Sequence, residues 1–260
     1  MADFFENVFK PDMIQEMLFF NVKAVLTYPT LEKLNENNKK LSERWDYISQ
    51  KFINASSTND LRYLQEVYEK NAVYYPEFTK IVAITYATVY IEGGTLKRYM
   101  KNITNENEYI VLATFFDELQ QLSGDGVQST PQFFPTLCGH NIINYDIPHL
   151  FKKYVFYREK FDKRIPFILK RTLSMKPWEA GIIDTVNVWK FNGKDYTPLI
   201  LIADFLGLKK NIDLQSLPEI SKEYWRLIES NPEKALEFVT FQSATQTNLV
   251  IQLMRILRNL

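Results

Sequence analysis

Two runs of apolar and β-branched residues constrain the fold of this 260-residue chain more than any other feature. The first is MLFFNVKAVL, from Met17 to Leu26, and the second is KIVAITYATVYI, from Lys80 to Ile91. Short runs of this kind are typical of strands buried inside a sheet. Gly93 and Gly94 follow the second run and predict a turn, after which residues 95–103 return as an antiparallel strand. The sequence therefore predicts a three-stranded meander.

Beyond the meander, helical and strand patterns alternate. The pattern predicts five helical segments: a polar region from Thr30 to Lys70, residues 106–122, a helix opened by Asp146, residues 197–206 and residues from about 218 to 260. It predicts strands between these helices, over residues 136–142 and 182–190. Such an order indicates a mixed sheet covered by helices. We therefore expect one domain over residues 15–260, with an N-terminal extension over residues 1–14.

The charge and cysteine content exclude several classes of protein. The 31 basic residues balance the 31 acidic ones, so the chain as a whole has no net field that would draw it to nucleic acid or to a membrane. Cys138 is the single cysteine, which excludes an intramolecular disulfide and a zinc site built from cysteines. The sequence shows neither a signal peptide nor an apolar run of about 18 residues. We expect a cytoplasmic protein without membrane contact.

Two segments carry motifs that are specific enough to suggest a family. Residues 139–150 read GHNIINYDIPHL, and KPWE at residues 176–179 is followed by IDT at 183–185 and WKF at 189–191. This series resembles the proofreading 3′-to-5′ exonuclease domain of family-B DNA polymerases and its stand-alone relatives in bacteria and phages. The relatives point to a phage or another mobile element as the origin of the chain, and hence to a host cytoplasm.

The first and last motifs of that family fall on residues 17–25 and 237–249, so the resemblance covers residues 15–255. It implies an RNase H-like α/β fold, with a mixed central sheet of about five or six strands and helices on both faces. It also implies an active site of the DEDD type, in which carboxylates hold two divalent metal ions.

The carboxylates of that site are largely missing from this chain. The first motif requires Asp and Glu two residues apart on one face of a strand, and this chain has Asn21 and Lys23 there. The last motif requires Tyr and Asp one helical turn apart, and this chain has Val239 and Ser243. Asp146, in the second motif, is the only surviving candidate for a metal ligand. Because hard cations need carboxylate oxygens, we expect no catalytic residue, no bound metal and no other cofactor.

Lys23 offers a way to stabilise such a site without metal. Clustered carboxylates repel each other, whereas one aspartate and one lysine together carry no net charge. We therefore hypothesise that the Lys23 ammonium occupies the space of a metal ion and pairs with Asp146. Asp146 also stands where an N-cap residue would begin a helix. For Asp184 we expect a structural hydrogen-bonding role.

Residues 152–176 form a basic stretch, with nine basic and two acidic residues. Interleaved aromatic residues could stack on unpaired bases while the cations bind phosphates. This interpretation predicts a site for single-stranded nucleic acid that consists of Lys152, Lys153, Arg158, Lys160, Lys163, Arg164, Lys170 and Arg171. The other interpretation is a solvated helix face whose aromatic residues turn into the core.

Three functions follow from these observations. The favoured one is a catalytically inactive exonuclease homologue that binds nucleic acid or a protein partner. The first alternative is an active exonuclease, with Mg²⁺ or Mn²⁺ at a rearranged site that recruits Asp146, Asp184 and either Asp195 or Asp204. The second alternative is a protein-assembly module. A protein partner would dock on the N-terminal extension or on the amphipathic C-terminal segment Val250 to Leu260.

Overall fold

The computed structural model describes residues 11–53, 60–123, 135–162, 164–174, 176, 181–191 and 193–258. The strands in this part are β1 (Met17–Leu26), β2 (Thr79–Glu92), β3 (Thr95–Thr104), β4 (Thr136–Gly139) and β5 (Ile182–Asp184). The α-helices are α1 (Leu31–Asn37), α2 (Lys39–Ser49), α3 (Leu61–Asn71), α4 (Glu108–Ser123), α5 (Asp146–Phe156), α6 (Phe167–Ser174), α7 (Thr185–Trp189), α8 (Leu199–Phe205), α9 (Leu217–Ile228) and α10 (Pro232–Leu257). Short 3₁₀ helices cover Pro11–Glu16, Ala72–Tyr74 and Pro76–Phe78.

The five strands form one mixed sheet in the order β3-β2-β1-β4-β5. The pairs β1–β2 and β2–β3 are antiparallel, and the pairs β1–β4 and β4–β5 are parallel. The predicted meander is therefore confirmed, with Gly93 and Gly94 at φ values of 58° and 74° in its turn. The architecture also confirms the expected α/β class and is compatible with an RNase H-like fold.

β1 is the central strand, and all ten of its residues are buried. Leu18, Phe20 and Val22 face the side of the sheet that α4, α5 and α6 cover. Phe19 and Val25 face the opposite side, where they belong to the apolar clusters formed with α8, α9 and α10. Helices thus cover both faces of the sheet, as expected.

A separate apolar cluster lies at the end of β1 and joins the polar helical region to the sheet. Trp45 of α2 is fully buried, and its ring centroid lies 5.4 Å from that of Tyr68 and 5.3 Å from that of Phe78. Leu26 at the end of β1 belongs to the same cluster. The short helix Ala72–Tyr74 follows α3 within this cluster and brings Tyr74 beside β1.

Four predictions of local structure are corrected. The strand predicted over 136–142 ends at Gly139. The strand predicted over 182–190 ends at Asp184, because the Asp184 carboxylate accepts the backbone N–H of Val186 at 3.0 Å and so begins α7.

The other two corrections concern α5 and the C-terminal segment. Asp146 does not cap α5, because the helix begins at Asp146 itself and its N-cap residue is Tyr145. Five apolar side chains of the C-terminal segment pack into the core beside Phe19 and are not free to dock on a partner. They are Val250, Ile251, Leu253, Met254 and Leu257.

Several predictions fall outside the described residues. These are residues 1–10 of the N-terminal extension, Lys163, and residues 177–179 of the KPWE motif. In the ranges that the structure does describe, no helix combines the length and the apolar character needed to cross a membrane.

Gly139, at the end of β4, sets how closely the loop before Asp146 approaches β1. A Cβ atom at this position would lie 2.2 Å from Ile142 Cγ2 and 2.8 Å from the backbone oxygen of Phe20. We expect Gly139→Ala to lower the free energy of unfolding by about 3 kcal/mol, since the buried backbone oxygen cannot move away. Urea denaturation measures this loss.

Gly94→Ala is the matched control for Gly139→Ala. A Cβ at Gly94 meets nothing within 4 Å, but the φ of 74° disfavours a side chain. We expect this substitution to cost about 1 kcal/mol. Equal losses at the two glycines would contradict the proposed close packing of β4 on β1.

Candidate functional site

A cavity of about 410 Å³ lies where β1 meets the loop after β4. Asn21 and Lys23 project into it from β1, and Asp146 reaches it from the start of α5. The remaining walls come from five segments and include Tyr74, His140, Tyr145, Tyr196, Leu199, Leu214, Leu217 and Gln246. The cavity therefore gathers residues that are far apart in the sequence.

Asn21 and Lys23 connect β1 with the adjacent helix α10. Both residues lie on the same face of β1 and are almost fully buried. The Ser243 hydroxyl of α10 donates a hydrogen bond to Asn21 Oδ1 at 3.0 Å. This bond joins β1 to α10.

Val239 and Gln246 differ from the prediction. Val239 does not reach the cavity, because its side chain lies in the apolar cluster with Val25 and Val82. Gln246, three residues after Ser243, lines the cavity, and its Oε1 accepts a hydrogen bond from the Lys23 ammonium. Gln246 was not predicted from the sequence, although the i, i+3 spacing from Ser243 places both residues on one helix face.

The predicted ion pair between Lys23 and Asp146 does not form. In the described part of the chain, the Asp146 carboxylate accepts the backbone N–H of Val22 at 2.5 Å, while the Lys23 ammonium donates to Gln246. Lys23 also does not point to solvent, since it is only 3% exposed. The two charges interact through space and are held by neutral groups on either side.

Burial dominates the titration of both residues. It raises the pKa of Asp146, and the Val22 N–H and the Lys23 charge offset only part of this rise. Burial lowers the pKa of Lys23, against the opposing effect of the Asp146 charge. Each group therefore gives up its charge more easily than it would in water.

Asp184 holds the loop that carries Asp146, which confirms its expected structural role. Its carboxylate accepts backbone N–H groups from Asn141 at 2.8 Å and from Ile143 at 3.1 Å, in addition to Val186. Asn141 has a φ of 66°, a left-handed conformation that Asn tolerates better than most residues. The three hydrogen bonds fix the path of the loop into α5.

The residues of the cavity do not fit a pair of divalent metal ions. Hard cations require several carboxylate oxygens, and among the described residues that line the cavity the one carboxylate, Asp146, is accompanied by the Asn21 amide and the Lys23 ammonium. Among the described residues, no group of three or more His, Cys, Asp and Glu side chains could hold a metal ion. Asp184 is occupied by backbone N–H groups, and Asp204 lies in an exposed ion pair with Lys210 at 2.6 Å.

Two polar side chains that line the cavity, Tyr145 and His140, are buried. Tyr145 is 8% exposed, and its hydroxyl has no hydrogen-bond partner among the described residues. His140 shares a hydrogen bond of 2.9 Å with the Thr185 hydroxyl, and burial lowers its pKa to about 4, so its ring is neutral at pH 7. Neither residue was predicted from the sequence to lie at a site.

Only some of the basic residues in the stretch 152–176 are exposed at the surface. The prediction for Lys153 is wrong, because its ammonium is buried, forms an ion pair with Glu108 at 3.2 Å and also donates to the backbone oxygen of Thr79. Lys152 is exposed and pairs with Glu77 at 2.9 Å. The remaining predicted residues that the structure describes are the exposed Arg158, Lys160, Arg164 and Lys170 and the partly buried Arg171.

The aromatic residues of this stretch divide between core and surface. Tyr154, Tyr157 and Phe161 pack against the core, which confirms the structural interpretation for them. Phe156 is 73% exposed and Phe167 is 39% exposed. The candidate surface for nucleic acid is therefore smaller than predicted. It consists of two exposed aromatic rings and the exposed cations that lie near them along the chain.

Comparison with models of protein families, with curated proteins and with solved structures found no match to this chain. The resemblance to exonucleases thus rests on the sequence motifs, and the function has to be inferred from the geometry of the site.

Asp146→Asn tests the burial of the carboxylate, since Asn can still accept the Val22 N–H. An acid whose pKa is raised by folding binds more protons in the native than in the unfolded state between its two pKa values. Here these are the ordinary value of 3.8 and about 7, so the wild type should lose stability as the pH rises through this window.

Relative to the wild type, we expect Asp146→Asn to gain more than about 1 kcal/mol in free energy of unfolding between pH 4 and pH 7. Urea denaturation across this range measures the difference. Asp46→Asn, at an exposed position of α2, serves as the control and should track the wild type. Parallel curves for the wild type and Asp146→Asn would show that the carboxylate titrates as it does in water.

Proposed function

We propose that this protein is a catalytically inactive member of the DEDD exonuclease family that binds single-stranded nucleic acid without cutting it. The observation that supports the proposal is that Asn21, Lys23 and Asp146 line one cavity and that Ser243 is hydrogen-bonded to Asn21. The family has carboxylates at all four positions, and this chain keeps one. The geometry agrees with an inherited site whose ligands have been replaced.

The replacements remove the chemistry of phosphodiester hydrolysis. In the two-metal mechanism, cations activate a water molecule and stabilise the leaving oxygen. Lys23 supplies a positive charge at this place, but an ammonium cannot bind water and lower its pKa as a metal ion does. Without metal ions, the cavity would therefore not hydrolyse a phosphodiester bond.

The surface around the end of α5 and the start of α6 fits a single strand better than a duplex. Phe156 and Phe167 expose rings on which unpaired bases can stack. Arg158, Lys160 and Arg164 are exposed near them along the chain and can bind the phosphate backbone. Because the whole chain has no net charge, this local field would determine where the strand binds.

An exposed apolar patch favours protein assembly as the second candidate function. Phe191, Leu201 and Phe205 are each more than half exposed, and the Trp189 ring lies 5.8 Å from Phe191 and 6.3 Å from Phe205. Clustered exposed apolar side chains often mark a protein interface. The two candidate functions use different surfaces and can be separated by binding measurements.

Charge reversal on the candidate surface tests the nucleic-acid proposal. We expect the wild type to bind a single-stranded oligonucleotide with an affinity that falls as salt rises. For Arg164→Glu with Lys170→Glu, the slope of log affinity against log salt should shrink by about 1.4, because two phosphate contacts are lost. Fluorescence anisotropy at several salt concentrations measures the slope.

The matched control for this experiment is Lys39→Glu with Lys40→Glu, which reverses two exposed charges on α2. It should bind as the wild type does. Salt-independent binding, or no binding at all, would favour the assembly function. Degradation of the oligonucleotide with Mg²⁺ or Mn²⁺, lost in Asp146→Ala, would instead establish an active exonuclease.

Restoring the missing acids tests whether the cavity is an inherited metal site. In the variant Asn21→Asp, Lys23→Glu, Ser243→Asp, four carboxylates would crowd one buried place and repel each other. We expect this variant to melt several degrees below the wild type in chelator and to recover with Mn²⁺, because the metal binds the native state. Differential scanning calorimetry measures both shifts.

Adding Asp146→Asn to this triple variant provides the control and should remove most of the response to Mn²⁺. The wild type should show no response. A triple variant that folds but ignores Mn²⁺ would argue against the alignment with the exonuclease motifs.

A further inference from the structure

The floor of the cavity holds two opposite charges that do not neutralise each other directly. Lys23 is 3% exposed and Asp146 is 1% exposed, and each is held by a neutral partner, Gln246 Oε1 and the Val22 N–H respectively. Buried charges are costly unless they are paired. An ammonium has three N–H donors, and Gln246 occupies one of them. The Lys23 ammonium can therefore donate further hydrogen bonds to a ligand, and the Asp146 carboxylate can accept further ones.

Much of the remaining lining of the cavity is apolar. Its apolar side chains include Leu199, Leu214 and Leu217. A few polar groups set in an apolar wall are typical of small-molecule sites, and the volume of about 410 Å³ is in their range.

We propose that this cavity binds a small zwitterion of the size of an apolar α-amino acid, whose carboxylate contacts Lys23 and whose ammonium contacts Asp146. The side chain of the ligand lies against Leu199, Leu214 and Leu217. Such a ligand gives each buried charge an opposite charge without moving either residue. This inference does not depend on the nucleic-acid function, which uses a different surface.

The arrangement selects against ligands that carry one charge only. A simple anion would satisfy Lys23 but would bring a second negative group near Asp146. A simple cation would satisfy Asp146 and approach the Lys23 ammonium. A nucleotide phosphate carries more negative charge than a carboxylate, so its repulsion from Asp146 is larger. Only a ligand that carries both charges can form a favourable ion pair with Lys23 and another with Asp146.

Isothermal titration calorimetry with chosen probes tests the proposal on the wild-type protein. The probes are L-phenylalanine and L-leucine, together with 3-phenylpropionate, which lacks the ammonium, and 2-phenylethylamine, which lacks the carboxylate. We expect at least one amino acid to bind and each single-charge analogue of phenylalanine to bind at least about tenfold more weakly than phenylalanine or not at all. Because this comparison needs no substitution, it does not depend on how a variant folds.

Two substitutions then locate the ligand. Lys23→Met and Asp146→Asn should each weaken amino-acid binding at least about tenfold, whereas Lys70→Met, on the exposed face of α3, should leave it unchanged. If neither amino acid binds, or if the analogues bind equally well, the proposal is overturned. Binding of thymidine monophosphate but of neither amino acid also overturns it and leaves the nucleic-acid proposal standing.

Discussion

The constraint on which the rest of the structure depends is the complete burial of β1. Its ten residues lie between two helical layers, so every polar side chain in it must find a partner inside the protein. Asn21 and Lys23 find theirs on α10, in Ser243 and Gln246. Positions 21 and 23 are therefore tied to positions 243 and 246, and a change on the strand requires a matching change on the helix.

A second layer of organisation holds the loop between β4 and α5. Asp184 would be a natural metal ligand by its chemistry, but its carboxylate accepts three backbone N–H groups instead. Because the carboxylate receives these bonds from both the loop and α7, it locks the loop against β5. The fixed loop also fixes the position of Asp146, whose hydrogen bond with the Val22 N–H joins α5 to β1. Asp146 therefore has a structural role in addition to its charge.

The sequence predicted the sheet well because strand burial leaves a strong local pattern. The boundaries of β1 match the prediction, and β2 and β3 differ from it by one or two residues at their ends. The end of β5 was missed because Asp184 ends the strand through a side-chain cap, which outweighs the alternating pattern of residues 182–190. An alternating apolar pattern alone cannot distinguish a strand from a short helix whose first turn is stabilised by an N-cap residue.

The site was predictable only where partners lie on the same element. The spacing of Asn21 and Lys23 fixed their common face, but the direction of the Lys23 ammonium depends on Gln246, which is 223 positions away in the chain. Lys153 shows the same limit, since its neighbours in sequence are basic and its actual partner is Glu108 on another helix. A local count of charges could not reveal that a buried carboxylate faces this lysine.

Lys23 and Asp146 determine what the site requires from its surroundings. A cluster of carboxylates would tie the stability of a fold to the supply of metal, because repulsion is relieved only when cations bind. One lysine and one aspartate instead carry opposite charges, and the neutral hydrogen bonds of Gln246 and Val22 hold the two charges in place. The two charges therefore remain separate, and a cavity with separate opposite charges is suited to the recognition of a ligand.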